Sequence, residues 1–150
     1  MKTILVMPVF LLMLLLARSG YGQGPVVWTF RTTPVVGNET TLLVRATMAP
    51  GWHLYSQRMP KGGPIPTRFM FDSEGDYIPV GVTEEKGPAT VFYDHTYEME
   101  VTWYTGSANF SQRFRLHDPD VTIKGEVEYM ACNEHICFPG AHVFSVAVRR

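Results

Sequence analysis

Two cysteines, Cys132 and Cys137, are all that the 150 residues contain, so the chain holds at most one disulfide and cannot be a multi-bridge cysteine scaffold. An excess of one charge is missing as well. Thirteen Lys and Arg stand against fourteen Asp and Glu, a formal charge of −1 that supplies no attraction to nucleic acid or to an anionic membrane surface. Beyond the first 17 residues no apolar run approaches the roughly 20 that cross a bilayer. No later window of 11 or more residues carries a helical period, and there is no internal repeat, low-complexity tract or domain-splitting linker. No Ser/His/Asp arrangement, phosphate-cradling glycine loop or catalytically spaced carboxylate pair is present. What remains is 45% hydrophobic and only 18% charged, the composition of one globular domain.

The start of the chain reads as a targeting segment. Met1-Lys2-Thr3 is a short basic beginning, Ile4 to Ala17 is apolar, and Gly20 and Gly22 place small residues at −3 and −1 of a cleavage site. This predicts a secretory signal peptide over residues 1–22, a permanent N-terminal anchor being the alternative. No cysteine lies near the cleavage region to carry a lipid. Residues 23–150 are then a single exported, soluble domain of formal charge −3, in a compartment that permits disulfides.

In that domain the hydrophobic period is two. Leu42, Val44, Ala46 and Met48 alternate with Thr41, Leu43, Arg45 and Thr47. Tyr97, Met99, Val101 and Trp103 alternate with Glu98, Glu100 and Thr102, and Phe110, Phe114 and Leu116 with Ser111, Arg113 and Arg115. Phe144, Val146 and Val148 mark a last strand. Pro50-Gly51, Gly62-Gly63-Pro64 and His117-Asp118-Pro119 punctuate the pattern. Seven to nine short strands predict an all-β, immunoglobulin-like antiparallel two-sheet sandwich, with a small barrel as the alternative. Trp28, Trp52 and Trp103 are expected in its core rather than in a ligand groove. Pro64-Ile65-Pro66 is expected to blunt an edge rather than to dock a partner.

The chemistry concentrates between Gly125 and Gly140. Val127, Tyr129 and Ala131 share one face of a strand, and Glu126, Glu128, Met130 and Cys132 the other. Glutamates are rarely buried unpaired, so Cys132 is expected on the solvated side. A four-residue loop over 133–136 opposes Cys132 to Cys137 at a distance a disulfide accepts. Closing so short a loop contributes only about 2 kcal/mol, and an accessible bridge is open to thiolate attack. Three readings stay open on these residues: redox exchange, a structural disulfide, and a soft Cu(I) site from Cys132, His135, Cys137 and Met130. Protonated His135 would lower a neighbouring thiol's pKa, and Glu134 would oppose it. His53, His95, His117 and His142 show no ligand spacing and are expected to be solvated or satisfied in the core.

Three segments in order, Gly51-Trp52-His53-Leu54-Tyr55-Ser56-Gln57, Gly62-Gly63-Pro64-Ile65-Pro66-Thr67-Arg68-Phe69 and the Gly125–Gly140 hairpin, resemble the N-terminal periplasmic domain of the transmembrane thiol:disulfide interchange protein DsbD. The resemblance covers essentially the whole domain. It implies an immunoglobulin-like sandwich with a catalytic cysteine pair and no bound cofactor. It also implies a periplasmic location, electrons arriving from a thioredoxin-like domain or membrane donor, and oxidised periplasmic proteins as acceptors. By the same resemblance Cys137 forms mixed disulfides, Cys132 resolves them, Tyr55 flanks the pair, and Glu84, Glu85, Lys86 and Gly87 fall near a shielding cap loop. Glu134 and His135, lying between the cysteines, are expected to flank the pair as well. The bacterial setting makes the sequon matches at Asn38 and Asn109 chance occurrences. The chain departs from the family in lacking an aromatic between Glu84 and Ala89. It also ends at Arg150 without membrane or thioredoxin-like domains, as a free-standing carrier with separate partners or a fold kept for another task. The expected rivals are a secreted binding module with a structural disulfide and a copper-handling domain.

Overall fold

Alternating apolar and polar side chains make a sheet with one face to bury, and two such faces stacked together exclude water from both. The computed structural model describes residues 24–118 and 120–148, so the segment expected to be a signal peptide, residues 1–22, lies outside the described residues. They form ten strands and no helix. The first five are β1 (Val26–Thr32), β2 (Glu39–Met48), β3 (His53–Tyr55), β4 (Arg68–Phe71) and β5 (Tyr77–Lys86). After them come β6 (Ala89–Asp94), β7 (Met99–Thr105), β8 (Ser107–Leu116), β9 (Thr122–Cys132) and β10 (Cys137–Ala147). One sheet runs β1-β2-β8-β5. The other runs β10-β9-β3-β7-β6, with β4 also on β9, and every pairing is antiparallel.

The expected faces meet between these sheets. Leu42, Val44, Ala46 and Met48 of β2 and Phe110, Phe114 and Leu116 of β8 bury against Val127, Tyr129 and Ala131 of β9. Trp28 sits in this core with Phe69, Phe110 and Tyr129 around its ring, and Trp52 packs at its margin. Burial of each large apolar side chain contributes about 1.5–3 kcal/mol. Thr40 and Gln112 are the buried polar residues on these faces of β2 and β8; the Thr40 hydroxyl donates to the Thr33 carbonyl, and Gln112 is held from two sides. Its Nε2 donates to the Val80 and Arg113 carbonyls and its Oε1 accepts from Thr83 Oγ1, where a register shift in β5 leaves backbone groups to satisfy.

Tyr97 and Glu98 belong to a turn, not to the strand read from their alternation. The Asp94 carboxylate accepts the N–H groups of Thr96 and Tyr97, and Glu98 takes a positive φ of 52°, so β7 begins only at Met99. Long β9 divides one edge between two partners: Ala131 and Cys132 pair with β3, and Gly125 to Glu128 with β4. That division brings β3 beside the cysteine end of β9.

Candidate functional site

The two cysteines sit where the β9–β10 ladder begins. Cys132 ends β9, Cys137 opens β10, and they face each other in register with Cα atoms 4.0 Å apart, joined as a disulfide. Asn133 builds the intervening turn. Its Oδ1 accepts the N–H groups of His135 and Ile136, each at 2.8 Å, and its own N–H donates to the Ile136 carbonyl. This is the four-residue loop expected from the spacing. Glu134 and His135 stand exposed on it.

The two sulfur-bearing residues differ in access. Cys137 is exposed, whereas Cys132 is only 2% exposed. The expectation that Cys132 faces solvent is therefore corrected. It does lie on the face of β9 opposite the main core, but there a second, smaller cluster covers it: Tyr55 and Val101 with Met59, Met99, Trp103 and Met130. Glu126 and Glu128 mark the open stretch of the same face, further along the strand.

Tyr55, the last residue of β3, belongs to this cover, and burial together with Asp94 and Tyr97 pushes its phenol pKa up to about 12. His53 stands opposite Cys132 across the β3–β9 pair. Its ring stacks on Trp103 at 4.1 Å and meets Tyr55 edge-on at 5.2 Å. Burial holds the imidazole pKa below its ordinary value, against the opposing pull of Asp94. Trp103 in turn carries Phe92 at 4.9 Å, so an aromatic row runs from β3 across β7 to β6.

The segment expected as a cap loop is mostly strand. Glu84, Glu85 and Lys86 are in register with Ser111, Phe110 and Asn109 of β8, in the sheet that does not carry the cysteines. Glu85 is an anchor: its carboxylate accepts from Ser56 Oγ and from the Gln57 N–H at 2.8 Å, and lies 3.9 Å from Arg58 Nε. Lys86 pairs with Glu84 at the surface, and Gly87 lies in the connection to β6 beside the Tyr104 ring. A Glu-Glu-Lys-Gly-Pro run looks like a charged loop, but Glu85 turns inward to satisfy the chain leaving β3.

His53 and Phe92 are the site neighbours that motif reasoning missed, and Trp103 was expected only as core. One signal was available. Met99, Val101 and Trp103 lie on one side of β7 and Tyr104 on the other, and a strand apolar on both sides is covered on both. Of the soft metal set, both sulfurs are tied up in the disulfide, and among the described residues no three His, Cys, Asp or Glu side chains converge on one point.

The sequence matches the family described as thiol:disulfide interchange protein DsbD, N-terminal, over residues 25–147. The chain belongs to that family. Comparison with curated proteins gives no match. Among solved structures it is similar to the N-terminal periplasmic domain of ScsB from Proteus mirabilis, with a TM-score of 0.61 at 14% identity over 82% of this chain and 46% of that one. It is also similar to the Neisseria meningitidis DsbD N-terminal domain in its reduced form, with a TM-score of 0.54 at 17% identity over 79% and 84% of the two chains. The chain thus spans about half of the ScsB structure. At such identities these likenesses show the fold, and the family match adds thiol–disulfide interchange as its class. No helix among the described residues is long and apolar enough to cross a membrane.

Proposed function

We propose that this DsbD N-terminal family member is a periplasmic, exported thiol–disulfide exchange domain that accepts electrons from a thioredoxin-like or membrane donor and reduces disulfides in partner proteins. The unequal exposure of the two bridged cysteines carries the reading. A partner thiolate can approach Cys137 at the hairpin rim, while Cys132 is covered. Attack on the Cys137 sulfur breaks the bridge and expels Cys132 as a thiolate, which takes up a proton. The donor's second thiol then attacks the donor sulfur of this mixed disulfide and releases Cys137. Two electrons and two protons have entered. The same steps in reverse pass them to an oxidised partner.

Roles follow for the neighbours. Tyr55 covers Cys132, while Glu134 and His135 line the approach to Cys137. Ile136, 60% exposed, Phe138, 38%, and Phe92, 46%, supply apolar contact for an incoming thioredoxin-like surface. Glu85 holds the chain that follows Tyr55 in place.

The test is trapping. Cys132→Ser should accumulate a mixed disulfide when its Cys137 thiolate attacks the disulfide of an oxidised thioredoxin-like protein, one partner sulfur leaving as thiolate. The wild-type bridge should open on incubation with the reduced donor while the domain stays folded. A bridge that such a donor leaves intact in the folded protein, by thiol titration, overturns the proposal.

A further inference from the structure

A buried polar atom with no partner costs about 1–3 kcal/mol, and folded proteins leave few of them. Two side-chain atoms among the described residues are in this condition, Trp28 Nε1 and His53 Nε2. Trp28 belongs to the main core, its ring set among those of Phe69, Phe110 and Tyr129. His53 does not. It is the residue of β3 set directly opposite Cys132, and opposed residues on one face of an antiparallel pair hold their Cβ atoms about 4.5–5.5 Å apart. Trp103 and Tyr55 pack against its ring. With the bridge closed, Cys132 has no proton to offer. Opening the bridge creates an S–H on the residue in register with His53, whose Nε2 has no hydrogen-bond partner.

We infer that His53 is the proton acceptor for Cys132, hydrogen-bonded to its thiol in the reduced domain and removing that proton when the disulfide re-forms. The inference rests on the exchange function proposed above. In the first half of substrate reduction, the Cys137 thiolate attacks a substrate disulfide and one substrate sulfur leaves as thiolate. In the second, His53 Nε2 takes the proton from Cys132. The Cys132 thiolate then attacks the Cys137 sulfur, the bond from Cys137 to substrate breaks, and the second substrate sulfur departs with the electron pair. That thiolate is protonated from water, and His53 returns its proton to water. The cysteine pair has lost two electrons and the substrate disulfide has gained them. Run backwards, the same imidazole, once protonated, supplies the proton that the expelled Cys132 needs.

The surroundings suit a base. The charged group acting on His53 is Asp94, at the end of β6. Tyr55 meets its ring on its own strand and Cys132 stands opposite it on β9, with Glu134 and His135 in the turn that follows Cys132 and Cys137 opening β10 beyond it. The facing positions of β7 are Trp103 and Thr105, which do not titrate. Burial outweighs Asp94 and keeps the imidazole neutral at neutral pH, ready to accept rather than to donate.

The experiment uses the reduced full chain and 5,5′-dithiobis(2-nitrobenzoate). Release of the first thionitrobenzoate reports attack by Cys137, and release of the second reports attack by Cys132 on the resulting mixed disulfide. In wild type the second phase should lose rate as pH falls through the imidazole ionisation. His53→Phe and His53→Gln should each slow it about 100-fold at neutral pH. Their residual rate should climb with pH as the bare thiol ionises, with the first phase unchanged. Melting curves establish that the variants are folded. A second phase in folded variants within about threefold of wild type overturns the assignment. So does a wild-type profile that follows thiol ionisation alone, a result that needs no variant. Absence of the first phase in wild type would instead remove the exchange reading itself.

Discussion

Reducing the bridge, with the sequence unchanged, separates a reagent from a staple. The loop closed by Cys132 and Cys137 spans a sequence separation of only 5, for which chain entropy gives the bridge about 2 kcal/mol. Against this stands the β9–β10 ladder, in register from Cys137 and Cys132 at one end to Ala147 and Thr122 at the other. The main core includes neither cysteine. A domain of this size has about 5–15 kcal/mol of stability, so losing about 2 leaves it folded. Urea unfolding of the oxidised and dithiothreitol-reduced chain should give free energies about 2 kcal/mol apart with equal m-values. Thermal midpoints should differ by about 6–10 °C. A loss of about 4 kcal/mol or more, or a reduced chain that is unfolded without denaturant, refutes the reasoning. A carrier has to survive in both oxidation states, and that outcome would make the protein a binding module held together by its disulfide.

Two further perturbations probe the frame around the site. Glu85→Ala removes the acceptor for the buried Ser56 hydroxyl and the Gln57 N–H, and should cost about 2–4 kcal/mol in urea melts. Glu85→Gln keeps an acceptor and should cost less, since the exposed Arg58 partner contributes little. Tyr55, Tyr104 and Tyr129 all have phenol pKa values raised chiefly by burial, Tyr55 to about 12. The fold therefore favours their neutral forms: this stabilisation is complete below pH 10 and is lost as pH climbs toward 12. Absorbance titration at 295 nm should show a late-ionising group of tyrosines with a parallel fall in stability, and a single transition near 10 in a still-folded chain would contradict it.

The sandwich was legible because its evidence is local. Leu42 to Met48 and Phe110 to Leu116 alternate cleanly, and each run needs only one buried face to be recognised as a strand. The hairpin was legible for the same reason, since Asn133 and a four-residue spacing close a turn without help from the rest of the chain. Where local evidence competed with a tertiary partner, the reading erred. Glu84 and Glu85 look like loop residues until Ser56 and Gln57 arrive from the end of β3 to meet Glu85. Tyr97 continues an alternation that the Asp94 turn interrupts.

The burial of Cys132 is the clearest case, because no contiguous stretch contains it. Its cover is drawn from Tyr55, Met59, Met99, Val101, Trp103 and Met130, on β3, the chain after it, β7 and β9. Only the sheet order β9-β3-β7 puts them on one patch. The same order sets His53 opposite Cys132 and leaves Cys137 on β10, the end strand of its sheet among the described residues. One cysteine is thereby exposed and the other covered, with His53 opposite it on the neighbouring strand. On the exchange function proposed above, the sulfur that a partner meets first would follow from strand order, the exposed Cys137 lying on β10 and the covered Cys132 on β9.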